Sequence, residues 1–375
     1  MSNSSLFSDF EAVDKAQWLE KVNKDLKGKA METLNWVIRE DFEITPFFHA
    51  DDLKGKKGAI LDANRAMNEW AIAETFEWEP KVTKVTNAAI LDALTNGVEA
   101  IGIQLTHLPS LEEIDQLLAN VVPAYIQINW IVNSNALSVA EVSARLSEWA
   151  MGRSVVLQGS LRVGFALSAE EQCGLLRDGG EGAFRGVTIG NVKGYLGEEQ
   201  ADAELAGLIL EAEQVLALAV EKGKKVEEVM EQMQFALWIG KSYFLSLAKI
   251  RALKILWKNI LHAYAAPTIS PYIEAQIAPQ SLSTDQHDNM IQSTTQAMSA
   301  VLAGVNCLYL PPANSTTESA TPFTRRIARN VQHILKMESY LDRVVDPAAG
   351  SYYIESLTRQ LAERAWQRFL TNKGK

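Results

Sequence analysis

Residues with the chemistry to act as acids, bases, nucleophiles or metal ligands are sparse in this chain. Five histidines occur, His49, His107, His262, His287 and His333, and two cysteines, Cys173 and Cys307, far apart and without a CxxC spacing. Neither a zinc site nor a disulfide framework is expected, and a reducing compartment fits. Glu77 and Glu79 flank Trp78 and read as a solvated loop rather than a carboxylate dyad. The glycines of 159–164 and Gly179-Gly180 lack the GxGxxG and GxxxxGKS spacings that cradle phosphates. No Ser-His-Asp arrangement can be argued from spacing alone.

Chemistry needs elements to position it, and from Trp70 onward the chain alternates. Short β-rich apolar runs fall at 71–76, 100–105, 125–131, 154–158, 184–189, 235–239, 269–276 and 305–310. Between them lie stretches of 3.6 periodicity, 86–94, 110–118, 138–149, 200–221, 241–264 and 283–302, with 322–341 after the last run. Eight strand–helix units predict a parallel sheet, and over about 300 residues they fit an α/β fold of the closed (β/α)₈ TIM-type barrel kind; a doubly wound open sheet is the alternative. Residues 1–63 read as an N-terminal helical and extended arm: a helix over 7–26 with Trp18, Leu19, Val22 and Leu26 on one face, then short extended pieces at 34–38 and 44–48. The arm has too few residues for its own core and must lie on its barrel or on a partner, and 64–375 is expected to form the barrel.

In such a barrel the working residues sit at the C-terminal strand ends. Those ends offer Thr106-His107, Asn133-Ser134-Asn135, Gly159-Ser160, Gly190-Asn191, Gly240-Lys241, Gln276 and Pro311-Pro-Ala-Asn314. The set is polar but lacks a convergent acid–base pair or metal-ligand cluster. Of the histidines only His107 falls at a strand end, where a loop role before Pro109 competes with a general base. The net charge of -10 argues against nucleic acid; the basic cluster Lys54, Lys56, Lys57 is short and reads as a solvated loop. No apolar stretch reaches the roughly 18 residues that cross a bilayer, and the start runs into Asp9, Glu11 and Asp14 rather than an apolar or Arg-rich leader. A cytoplasmic protein is expected.

Three segments together resemble the methylmalonyl-CoA mutase family. The most specific pairs Arg326-Ile-Ala-Arg-Asn330 with Val345-Asp-Pro-Ala-Ala-Gly-Ser-Tyr-Tyr-Ile-Glu355. The second is Phe235-Ala-Leu-Trp-Ile-Gly240 with Lys249, Arg251 and Trp257, and the third is the arm from Trp18 to Gly28. The resemblance implies a barrel that, in catalytic members, threads an acyl-CoA through its centre. A separate C-terminal domain holds adenosylcobalamin, and radical rearrangement gives succinyl-CoA from methylmalonyl-CoA.

Departures from that pattern imply a different role here. Glu274 stands where the family carries an active-site histidine, in Tyr272-Ile-Glu-Ala-Gln276, and only Gln276 of that segment matches. Leu196 replaces a histidine after Gly194-Tyr195, and Pro312 replaces the one ahead of Asn314-Ser315. A tyrosine-bearing loop and an arginine-bearing insertion are not recognisable. With Leu196, Pro312, Ile277 and Ala278 in place of substrate-holding groups, the lumen is expected to be more apolar and more closed than in a catalytic subunit. Asp285-Gln-His287 has the form of a cobalt-presenting DxHxxG motif, but Met290 takes the glycine position and the triplet sits among helix-capping residues.

The cobalamin domain is not expected within this chain, which is either a fragment or naturally short. The resemblance thus implies a small, non-catalytic subunit, binding no cofactor itself and forming a heterodimer with the adenosylcobalamin-holding large catalytic subunit. The alternative is an active acyl-CoA mutase-type isomerase with a rearranged site and a separate cobalamin-binding chain.

Overall fold

The computed structural model describes residues 13–53, 61, 65–177, 184–190, 195–266 and 269–374. The basic cluster Lys54, Lys56, Lys57, the pair Gly179-Gly180, and Asn191 and Gly194 lie outside the described residues.

A hairpin of β1 (Trp36–Arg39) and β2 (Phe42–Ile44) belongs to the arm. The barrel strands follow: β3 (Ala71–Trp78), β4 (Ala100–Leu105), β5 (Gln127–Val132), β6 (Gly159–Val163), β7 (Phe184–Arg185), β8 (Val187–Gly190), β9 (Met233–Ile239), β10 (Tyr272–Ile277) and β11 (Cys307–Tyr309). Every pairing among them is parallel, in the order β7-β6-β5-β4-β3-β11-β10-β9-β8. β7 and β8 are the two halves of one run broken at Gly186; the first pairs with β6 and the second with β9, which brings the sheet round on itself. The expected eight-unit TIM-type barrel is therefore what the chain builds.

The correction lies at the fourth barrel strand, expected at 154–158 and found at Gly159–Val163. Ser154 is the left-handed cap of helix Val139–Arg153, and the Val155 N–H closes onto Ala150 O, so the Val155–Leu157 stretch is spent on stopping a helix. The strand itself opens on Gly159 at φ +108, with the Ile128 backbone lying where a Cβ would stand. A glycine demanded by close approach reads as a turn in the sequence. Two short helices, Ala169–Cys173 and Val226–Glu231, were not legible, and the helix expected to run to 341 is α-helical over Pro322–His333 and a π-helix over Ile334–Glu338.

The C-terminal signature run fastens the outer helices. Arg251, buried in helix Tyr243–Ala263, pairs with Asp346 and, at 2.8 Å, with Glu355 of helix Tyr352–Lys373. Glu355 also accepts the Gly350 N–H at 3.1 Å. Lys254 caps the carbonyls of Ala303 and Gly304 at 2.8 Å each, and Lys249 meets Glu204 at 2.9 Å. Arg325 and Arg329 of helix Pro322–His333 hold Glu74 on the outer face of β3 at 2.6 and 3.4 Å.

In the arm, helix Lys15–Asp25 starts with a capping box between Asp14 and Gln17. Its stripe of Trp18, Leu19, Val22 and Leu26 is half-buried, with Trp18 stacked on Phe47 at 3.7 Å between centroids. The hairpin is fixed to its own barrel. Ile38, Phe42 and Ile44 are buried. Arg39 reaches Asp202 at 3.1 Å, and Arg364 reaches Asp41 at 3.0 Å.

Candidate functional site

Strand alternation decides which side chains enter the lumen. On β10 Tyr272, Glu274 and Gln276 alternate with buried Ile273, Ala275 and Ile277, and on β6 Ser160 and Arg162 alternate with Leu161 and Val163. Period 2 therefore delivers polar groups inward while aliphatic ones pack under the helices. β3 and β4 contribute small residues: Ala73 and Ala100 pack against Cys307 and Tyr309, and Gly102 lies under the Tyr309 ring.

These inward groups bond to one another across the barrel. Arg162 Nη1 lies 2.8 Å from Glu274 Oε1, both side chains being buried. The Gln276 amide, with its oxygen toward the guanidinium, accepts from Arg162. Gln234 donates to Thr188 Oγ1 at 3.1 Å, and Thr188 donates to Leu161 O at 3.0 Å. On the other side Asn129 Nδ2 donates to Tyr309 Oη at 2.6 Å while its Oδ1 accepts from Ser160 Oγ at 2.9 Å. Nearer the N-terminal mouth, Tyr272 Oη donates to Gln127 Oε1 at 2.6 Å, and Arg185 lies 3.4 Å over the Tyr272 ring.

The electrostatics are those of a buried interior. Burial pushes the Glu274 carboxyl above its usual range, opposed by Arg162 and by bonds from Gln276 and Gln234. Burial, with Glu274 nearby, raises the Cys307 thiol and the Tyr309 phenol well above their ordinary values. Cys307 is held as a thiol, not a nucleophilic thiolate. Arg162 and Glu274 neutralise each other, which leaves neither poised for proton transfer to a ligand.

Leu196, Ile277 and Ala278, expected to make the lumen more apolar than in a catalytic subunit, do not form its wall. Leu196, taken as a lumen group, is 38% exposed and lines a cavity of about 270 Å³ beside helix Ala201–Glu221. Ile277 and Ala278 are buried, but alternation turns Ile277 away from the axis and Ala278 caps the end of β10. Of the polar residues that fill the lumen, Glu274, Gln276, Tyr272 and Ser160 are singled out by the sequence, whereas Arg162, Asn129, Gln234 and Thr188 are not. Arg162 was lost because its strand was placed five residues early; the Ser160/Arg162 against Leu161/Val163 alternation was the available signal.

The other strand-end residues are drawn into local structure. Glu77 and Glu79 are exposed, as are Asn133, Ser134 and Asn135. Thr106 Oγ1 donates to Trp78 O at 3.1 Å. His107 packs edge-on to Trp78 and lies 3.5 Å from Glu113, whose carboxylate is committed to the Ser110 capping box. Gly240 O accepts from Gln296 at 2.8 Å, and buried Asn314 donates to Ser319 O at 3.0 Å. His49 and His333 bond to neighbouring loops, and His262 and His287 are exposed. Among the described residues no three His, Cys, Asp or Glu side chains cluster as metal ligands, and no helix is long and apolar enough to cross a membrane.

The family model described as methylmalonyl-CoA mutase matches residues 191–372, from the end of β8 through the last helix. A methylmalonyl-CoA mutase small subunit from Porphyromonas gingivalis is 27% identical over 98% of this chain and 64% of its own length. A probable methylmalonyl-CoA mutase small subunit from Mycobacterium tuberculosis is 30% identical over 80% of this chain and 52% of its own. A methylmalonyl-CoA mutase from Cereibacter sphaeroides is 25% identical over 93% and 57%. The chain thus spans between about half and two thirds of the length of these relatives.

Proposed function

The chain belongs to the methylmalonyl-CoA mutase family, and from that premise we propose that it is a small, non-catalytic subunit that pairs with and stabilises a large catalytic subunit in the cytoplasm. The observation that carries this reading is the filled lumen. A catalytic member would thread an acyl-CoA along the barrel axis, through the space that Arg162, Glu274, Gln276, Tyr309 and Tyr272 occupy with bonds to one another. Opening that path means breaking a buried ion pair, which typically costs 3–5 kcal/mol.

Adenosylcobalamin, which supplies the radical in catalytic members, is assigned to the large subunit. The Asp285-Gln-His287 triplet does not fit a cobalt ligand oriented by a carboxylate, because Asp285 Oδ1 accepts the backbone N–H of His287 at 2.7 Å and caps helix Gln286–Leu302. No step of the chemistry is routed through this chain. Its own residues offer structure: the hairpin packs on its own barrel, and the half-buried apolar stripe of helix Lys15–Asp25 supports that helix as the partner-contacting segment.

Co-expression with a large subunit tests the proposal. Co-elution on size exclusion, with isomerisation of methylmalonyl-CoA that needs the large subunit, is expected. Isomerisation by the purified chain alone with adenosylcobalamin would overturn it.

A further inference from the structure

The Arg162–Glu274 pair joins strands that are not neighbours: β8 and β9 lie between β6 and β10. The carboxylate reaches across the lumen to a guanidinium that is itself buried, and the Gln276 amide oxygen accepts from that same guanidinium. A buried guanidinium held in place by Gln276 and aimed across the lumen is a recognition group for a carboxylate. The walls beside Glu274 are small, since its register neighbours are Ala236 on β9 and Cys307 on β11.

We propose that Arg162 is the base of a small-carboxylate site in the lumen whose resident ligand is the chain's own Glu274, and that removing this side chain leaves a receptor for free acetate. The size follows from the atoms. Truncation of Glu274 at Cβ removes a CH2–COO⁻ unit, which is the heavy-atom frame of acetate. Neither Ala236 nor Cys307 is long enough to reach into the space and restore the charge pairing. Arg162 would then be a buried, uncompensated cation, which an anion of the right size relieves. The inference goes beyond the subunit reading and stands whether or not that reading holds.

The test is the thermal midpoint of the full-length chain against acetate concentration, at fixed pH, with sodium chloride holding ionic strength constant. E274A is expected to show a saturable rise of about 3 °C at a hundredfold excess over its dissociation constant. Butyrate is expected to give none, because its chain is too long for the vacated space. Wild type, E274Q, which keeps the volume filled, and the double variant R162M/E274A, which lacks the cation, are expected not to respond. An equal rise in wild type or in R162M/E274A, or no rise in E274A, overturns the proposal. Should E274A fail to fold unaided, soluble yield on refolding in acetate against chloride is the readout, and equal yields overturn it.

Discussion

Arg251→Met isolates what the C-terminal signature does. Arg251 is 1% exposed and pairs with Asp346 and Glu355, themselves buried. Removing the guanidinium leaves two carboxylates facing each other out of water, with Asp346 keeping the Leu61 N–H at 3.1 Å and Glu355 the Gly350 N–H at 3.1 Å among the described residues. Breaking a buried pair from one side typically costs 3–5 kcal/mol. At about 2.1 cal/mol/K per residue, unfolding a chain of 375 residues carries an entropy near 0.8 kcal/mol/K, so the midpoint should fall by about 4–6 °C.

The loss carries a pH signature. Without the cation, burial and mutual repulsion raise both carboxyls in the folded state above their unfolded values. The folded state then holds protons that the unfolded state releases, so the variant loses stability as pH rises through the ordinary carboxylate range. The deficit relative to wild type should be smaller at pH 5 than at pH 7.5. Differential scanning calorimetry at the two values measures both effects. A midpoint within 1 °C of wild type, or a deficit that grows on acidification, would refute the assignment of these motif residues to packing. The exposed pair Lys21–Asp25 is the internal control, expected to be worth at most about 1 kcal/mol.

Other outcomes follow from single contacts. Gly102→Ala places a methyl 3.0 Å from Tyr309 Cε1 and 3.2 Å from its hydroxyl, so it should displace the ring from Asn129 and cost about 1–3 kcal/mol in urea denaturation; no change would mean the lumen is looser than described. Asp202 is buried, which acts to raise its carboxyl, yet bonds from Arg39 and Arg368 outweigh this and hold it below the usual range. A depressed folded-state value gives stability that is present above the unfolded pKa of about 3.9 and lost as pH falls through the folded one, so wild type should lose a component below pH 4 that Asp202→Asn never has. Deleting residues 1–28 should leave the circular dichroism of the barrel intact and weaken co-purification with a large subunit. Extending the deletion through Ile44 should destabilise the barrel, because Phe42 and Ile44 are buried and each is worth about 1.5–3 kcal/mol. Full-strength pull-down by the shorter deletion would remove the helix from the interface.

The barrel was legible because its signal is redundant. Eight apolar runs separated by helical periodicity survive an error in any one of them, and β4 was placed to the residue at 100–105. Errors fell where one glycine or one polar residue outweighed the pattern. Gly159 is required by the Ile128 backbone but reads as a turn, and that single shift hid Arg162. The lumen was misjudged for a related reason. Leu196, Pro312, Ile277 and Ala278 are read as lumen-facing because the resemblance puts substrate-holding groups at those positions, whereas the lumen is filled by residues on the inward phase of β5, β6, β9, β10 and β11, some of them toward the N-terminal mouth. The change from histidine to Glu274 was visible in the sequence, but its partner lies 112 positions away on β6 and no local pattern joins them. The arm's hairpin was legible as extended chain; that it rests on its own barrel depends on the pairs Arg39–Asp202 and Arg364–Asp41, which only the fold brings together.

The central claim is that this barrel does not admit substrate. Isothermal titration of methylmalonyl-CoA into the purified chain tests it most directly, because binding along the axis requires displacing the Arg162–Glu274–Gln276 plug. The account predicts no saturable heat up to millimolar ligand. Stoichiometric micromolar binding that is abolished by a bulky substitution at Ala73 or Ala100, on the lumen wall, would contradict it.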